Sequence, residues 1–343
     1  MTIGSKTITQ APQTYSYKSY FEALLSYSKD AKKSFLVGAH FTKDGASLES
    51  AIADSVDALR NEIFTPSTAS VATSNEIDMY GKMHLEMGYQ PKLLLGGVEV
   101  SFALKPNSPS FYLMCNDDKL VAKLEFTEAI LYVHRSKIAP HIIQGHSSGL
   151  EIASAKYPLV RGEVKAITLT RGVFDVLVDN VVNGQLPRRI FIAFVEHDAF
   201  TGSFTKNPFN FKNLGLNFLA TYVNGVQFPS KAFTPDYTNG LYIREYMSLF
   251  ESTNKINLMD SNINISRDSY PNGMTIYGIN FAPDLSDGCC GTSSHANVIK
   301  NGQLRIECHF KTALKQTTNM LCYLEYDNML EIDSTRNVTT NYV

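Results

Sequence analysis

The sequence predicts an all-β fold: two antiparallel sandwiches in tandem, with a few short helices in the connections. Three observations predict it. Runs of β-branched and aromatic residues recur along most of the chain, Asn-Gly pairs punctuate its second half, and one ordered set of elements occurs twice. Val, Ile, Tyr and Phe suit the pleated surface of a strand, while Asn and Gly tolerate the positive φ of tight turns.

Strand-like runs fall at 93–104, 119–134, 162–170, 189–197, 216–228, 274–281, 303–311 and 320–332. Asn183-Gly184, Asn224-Gly225, Asn239-Gly240, Asn272-Gly273 and Asn301-Gly302 are expected to form the hairpin turns and loops between them. Many short strands with such punctuation indicate sandwiches or barrels. Helical spacing appears at 17–32, where Tyr20, Phe21, Leu24 and Leu25 share a face, and again at 241–250. A short third helix is expected at 149–155.

The first two helices belong to the repeat. Ile3-Gly4-Ser5-Lys6 is followed by Lys18-Ser19-Tyr20-Phe21, and Val223-Asn224-Gly225-Val226 is followed by Arg244-Glu245-Tyr246-Met247. Each reads as strand, Gly turn, polar loop, then a helix opened by a basic residue and a Tyr two places on. Tyr20 and Tyr246 lie 226 positions apart. A repeat of that period implies two copies of one domain, 1–155 and 156–343, meeting near Ala155-Lys156-Tyr157-Pro158. Far more chain precedes the Gly turn in the second copy than in the first. The expectation is that the first domain lacks its opening strands.

Composition narrows the function. The 343 residues suit two domains, and 44% hydrophobic against 19% charged residues can fill two cores. A net charge of −2 supplies no broad basic field for nucleic acid. Cys115, Cys289, Cys290, Cys308 and Cys322 are odd in number and irregularly spaced, so a reducing compartment is expected rather than a disulfide framework. No apolar run reaches the length of a membrane span, and neither a transmembrane segment nor a signal peptide is expected. Without a secretory route, the glycosylation patterns at Asn264 and Asn337 are expected to be idle.

Several motifs could carry chemistry. Gly145-His146-Ser147-Ser148-Gly149 fits the nucleophile elbow of a serine hydrolase, which exposes the Ser on a sharp strand-to-helix turn beside a His base. The competing reading is a polar loop, and the chain lacks the strand–helix alternation that such hydrolases need. Cys289, Cys290, His295, Cys308 and His309 could be gathered into a zinc set, but adjacent cysteines cannot easily both face one ion. His141 and His146 lack the His-x-His spacing of a metal-binding jelly roll. Glu196-His197-Asp198 is a compact acid–base cluster at a strand end, or simply a polar strand end. Gly96-Gly97 suggests a bulge in a strand rather than a phosphate loop. Lys32-Lys33 and Arg188-Arg189 form no basic stripe. The expectation is no catalytic residue, no cofactor and no metal. The loop aromatics Pro208-Phe209 with Phe211, then Phe228, Phe233 and Tyr237, are core lids or a subunit interface.

Longer motifs then follow in order: Asn207-Pro-Phe-Asn-Phe-Lys212, Tyr246-Met-Ser-Leu-Phe-Glu251, Pro283-Asp284-Leu285 and Glu325-Tyr-Asp-Asn-Met-Leu-Glu331. With the stretch at 17–33 and Ala155-Lys-Tyr-Pro158, they resemble the hexon-type major capsid protein of Polinton (Maverick) elements and adintoviruses. That resemblance implies a double jelly roll, with three subunits forming a pseudo-hexameric capsomer of an icosahedral shell. It implies self-association as a homotrimer, capsomer–capsomer contacts, and a penton or minor capsid protein as partner. No specific nucleic acid is implied. The location implied is the virion, after synthesis in the host cytoplasm and nuclear assembly. A lectin-like attachment sandwich is the alternative, with a serine hydrolase using Ser147 behind it.

Overall fold

The computed structural model describes residues 1–9, 14–41, 76–114, 124–256, 258, 263–285 and 297–342. In the first half, β1 (Thr2–Ile3), β2 (Lys6–Thr7) and β3 (Val100–Ser101) form a small antiparallel sheet in the order β2-β1-β3. The helices here are α1 (Tyr15–Ser26), α2 (Lys29–Lys33), α3 (Pro109–Tyr112) and α4 (Pro140–Ile152).

The second half holds β4 (Ala155–Leu169), β5 (Asp175–Gln185), β6 (Arg189–Glu196), α5 (His197–Thr201), β7 (Leu216–Val223) and β8 (Val226–Phe233). It continues through α6 (Ile243–Ser252), β9 (Ile276–Asn280), β10 (Asn301–Phe310), β11 (Thr318–Ile332) and β12 (Val338–Thr340). Two sheets result, β4-β11-β6-β9 and β5-β10-β7-β8, and every pairing is antiparallel. The chain crosses between sheets so that its first long strand lies beside its last. Eight strands in this order make a complete jelly roll, two Greek keys folded onto one core. β12 pairs with Leu330–Ile332 of β11, past the end of β6.

The two sheets differ in how they are buried, and their sequences say why. β10 alternates, with Leu304, Ile306, Cys308 and Phe310 facing the inter-sheet core and Arg305, Glu307 and His309 facing out. One wet face gives that period of two. β6 and β11 are apolar on both faces. Ile190, Ile192, Phe194, Met320, Cys322 and Leu324 fill the inter-sheet core. Phe191, Ala193, Val195, Leu321 and Tyr323 point the other way, under α1 and α6. A third core, with Ile3, Ile8, Tyr157, Leu159, Leu330 and Val338, seats the small sheet on the far ends of β4, β11 and β12.

The all-β antiparallel class is as expected, and most second-half strands stand near their expected positions. The run at 216–228 divides into β7 and β8 at Asn224-Gly225, whose φ values of 51° and 82° make the two-residue turn. Other elements differ. Asn183-Gly184 lies inside β5, in regular register with Gln303 and Gly302 of β10, and the register shift of this strand pair falls further along, between Val178 and Val182. Asn301-Gly302 opens β10 rather than turning the chain, and the Asn224 Oδ1 accepts the Gln303 N–H at 2.9 Å. The expected helix at 17–32 breaks at Tyr27, because Ser28 caps a new helix by accepting the Ala31 N–H at 3.1 Å. The expected helix at 149–155 ends at Ile152 and begins much earlier, at Pro140, a favoured first helical residue. Of the run at 93–104, Val100–Ser101 alone is strand, and Gly96-Gly97 is a turn with Gly97 at φ 85°. In the run at 119–134, positions 119–123 lie outside the described residues. Positions 124–134 are exposed and without regular structure, since no described strand flanks them to take their N–H and C=O groups.

Candidate functional site

The candidate catalytic residues are dispersed. Ser147 sits inside α4, exposed, its hydroxyl donating to the Ile143 carbonyl at 3.1 Å one turn back. The Gly-His-Ser-Ser-Gly run is therefore helix and not a strand-to-helix elbow. His146 and His141 are exposed on the same helix. Glu196 ends β6 and is fastened by lysines: Lys212 Nζ is 2.6 Å from Oε1 and Lys206 Nζ 3.0 Å from Oε2. Lys206 also bonds Asp198 at 2.8 Å. Burial raises the Glu196 pKa, but the two ammonium groups outweigh it and hold the carboxyl below its ordinary range. The Lys206 hydrogen bond does the same for Asp198. His197 Nδ1 faces Asn319 Oδ1 at 3.3 Å. Two carboxylates locked in the charged form make an ion network, not a proton-transfer pair.

The described members of the zinc set do not converge. Cys289, Cys290 and His295 lie outside the described residues, as does Cys115. Cys308 and His309 are successive strand residues and so point to opposite faces of the sheet, Cys308 into the core and His309 outward. Among the described residues no group of three His, Cys, Asp or Glu side chains is placed to hold a metal. Burial pushes both the Cys308 and Cys322 thiols up to about 12.

What the structure builds is an aromatic seam. α1 lays Tyr17, Phe21, Leu24 and Leu25 on the outer face of the β4-β11-β6-β9 sheet. The Phe21 ring stacks on Phe211 at 5.2 Å and on Tyr323 at 5.5 Å, each within 1° of parallel. Tyr20 stacks on Phe209 at 4.3 Å, and Tyr17 on Phe200 at 5.5 Å. Offset ring pairs contribute about 0.5–1.5 kcal/mol each beyond their buried area. The close approach depends on Gly162 in β4, where a Cβ would come within 3.0 Å of both Lys18 Cε and the Tyr323 ring. Lys18 itself is buried. Its ammonium bonds Glu86 Oε1 at 2.6 Å, while Glu86 Oε2 accepts from Thr9 at 2.7 Å. The first half is thus fixed to the jelly roll by stacked rings, while the buried Lys18–Glu86 pair ties α1 to the segment around Glu86 within the first half.

The loop aromatics fall mostly inside this seam and the cores. Pro208 is buried, Phe209 and Phe211 meet α1, and Phe233 lies in the inter-sheet core. Tyr237 bridges the two clusters, its hydroxyl 2.7 Å from that of Tyr277. Phe228 is the most open of the six, 36% exposed, with one ring contact to Phe281 at 5.3 Å. Sequence reasoning missed the polar knots: Lys18–Glu86, and Arg188 and Arg189 with Glu325 and Asp327. The adjacent arginines are matched from a strand more than a hundred residues away, a pairing that local pattern does not carry.

No family model matches the chain. A curated protein of Caenorhabditis elegans, "Uncharacterized protein F54H12.2", is 24% identical over 352 aligned residues, covering 98% of this chain and 77% of that protein. Among solved structures, one of the Sputnik virophage aligns at a TM-score of 0.33 and 14% identity, over 55% of this chain and 39% of that chain. The PBCV-1 virus capsid aligns at 0.35 and 13%, over 55% and 52%. The mavirus major capsid protein aligns at 0.31 and 10%, over 55% and 41%. The chain therefore spans between 39% and 52% of these three solved chains.

Proposed function

We propose that this chain is a structural capsid protein built on two jelly rolls, 1–155 and 156–343, whose trimers form pseudo-hexameric capsomers in a virion. One observation carries the proposal beyond the sequence resemblance. The strand order β2-β1-β3, with α1 following β2, repeats β8-β7-β10, with α6 following β8. Both hairpins turn at a positive-φ glycine, Gly4 and Gly225, and both helices pack into the same core on the doubly buried sheet. A strand-and-helix set that occurs twice, with both helices packed on one doubly buried sheet, suits a rigid building block with no need of a catalytic cleft. Subunit contact is assigned to Phe228 in the first place, since of the six loop residues its ring is the most open to solvent. Capsomer–capsomer contacts and a penton or minor capsid partner belong to the same proposal, as does kinship with the Polinton and adintovirus proteins.

Mass photometry of the purified chain tests the assembly. Particles of three chains are expected, and Phe228→Asp should shift them toward single chains. A monomer at all concentrations that is retained on immobilised glycans would favour an attachment protein instead. An ester-hydrolysis assay tests the absence of catalysis: activity abolished by Ser147→Ala would contradict it.

A further inference from the structure

The outer face of the β5-β10-β7-β8 sheet carries a histidine held between two carboxylates. Across the strand pair, His309 of β10 stands directly opposite Asp175 of β5. Its Nδ1 lies 2.5 Å from Asp175 Oδ1 and its Nε2 3.1 Å from Glu307 Oε1. Glu307 is fixed in turn, since its Oε2 accepts a hydrogen bond from the Tyr222 hydroxyl of β7 at 2.8 Å. The Phe218 ring of β7 lies 4.9 Å from the imidazole and covers one side. Further along the face, Arg305 lies 5.1 Å from the Tyr222 ring centroid and 3.5 Å from Asp179 of β5. The charged and titratable groups of this face are therefore Asp175 and Asp179 from β5, Glu307 and Arg305 from β10, and the Tyr222 phenol from β7.

We propose that His309 is a proton-operated clasp that fastens β5, an edge strand of its sheet, to β10. The chemistry of imidazole requires the proton. A neutral ring has one N–H and one lone pair, so it can donate to one carboxylate while its lone pair faces the other. Two N–H donors, one for each carboxylate, exist only in the imidazolium. Losing the proton therefore breaks one bond, turns a lone pair toward an anion, and removes the positive charge between Asp175 and Glu307. The affected strand has a neighbour on one side only, and its register with β10 already shifts between Leu304 and Ile306.

The direction follows from linkage. The Asp175 hydrogen bond, against some desolvation and with help from Glu307, raises the His309 pKa above its ordinary 6.5. A raised folded-state pKa stabilises fully below the unfolded value and loses that stability as pH rises through the folded value. The clasp is closed in mild acid and opens as pH rises through the raised His309 pKa, above 6.5.

Histidine-selective NMR on the intact chain tests it, with His309→Gln identifying the resonance and Asp175→Asn probing the partner. The His309 ring is expected to titrate above 6.5, with the midpoint lowered in Asp175→Asn. The melting temperature of the wild type should fall by about 2 °C relative to His309→Gln between pH 6 and pH 9. Amides of β5 should exchange faster at the higher pH after correction for intrinsic rates. A His309 midpoint at or below 6.5 in the wild type overturns the proposal. So does a pH profile of stability that His309→Gln or Asp175→Asn leaves unchanged. If His309→Gln fails to fold, Asp175→Asn and the wild-type titration decide the matter alone.

Discussion

At the scale of single residues, the doubly buried sheet makes sharp demands. Phe21 is held between Phe211 and Tyr323 with no exposed surface, so truncation leaves a void that the two flanking rings cannot collapse to fill. Phe21→Ala should cost about 3–5 kcal/mol, measured by chemical denaturation. A second demand is ionic. Burial alone would raise the Glu325 pKa, but Arg189 and Arg188 outweigh it and hold the carboxyl low. A depressed folded-state pKa stabilises above the unfolded value and loses that stability as pH falls through the folded one. The wild type should therefore weaken below about pH 4.5, and Glu325→Gln, which leaves Asp327 as the carboxylate beside the buried Arg188 and takes the Glu325 charge from Arg189, should cost about 3–5 kcal/mol at pH 7. Cys308 and Cys322 give a third check. Their raised pKa and complete burial mean that neither should react with a thiol reagent at pH 8 until the chain unfolds, which mass spectrometry of labelled peptides reads directly.

At the scale of elements, the tight hairpin β7–β8 rests on two residues in the left-handed region. Gly225 has φ 82° and open space where a Cβ would go, so Gly225→Ala meets no clash and isolates the backbone term. It should lower stability by about 1 kcal/mol, seen as a shifted denaturation midpoint at constant slope. This turn was legible in the sequence because Asn-Gly encodes it locally, and β10 was legible because one wet face writes an alternation. β5 was not. Its polar outer residues and its internal Asn183-Gly184 pair look like a loop, and a partner strand over a hundred residues away supplies the missing reason for it to be extended. α4 misled in the opposite direction, since two glycines and two serines mask a helix that starts at a proline. The run at 124–134 shows the limit of propensity: Phe126, Ile130, Tyr132 and Val133 favour a strand, yet they stand exposed where no described neighbour pairs with them. As for the candidate site, single motifs were readable, while the ring seam joining α1 to Phe211 and Tyr323 depends on residues some 190 and 300 positions away and left no local trace.

At the scale of the whole molecule, the jelly roll of the second half is complete, and the first half repeats three of its strands and one helix in the same order. One sheet is apolar on both faces because α1 and α6 together cover its outer side. The capsid role proposed above is the one that such a block would serve. The most direct test is single-particle cryo-electron microscopy of the purified assembly. The result expected is a threefold particle with a six-lobed outline, each chain contributing two sandwiches side by side. A particle of one chain with a single sandwich and an unstructured first half would contradict it.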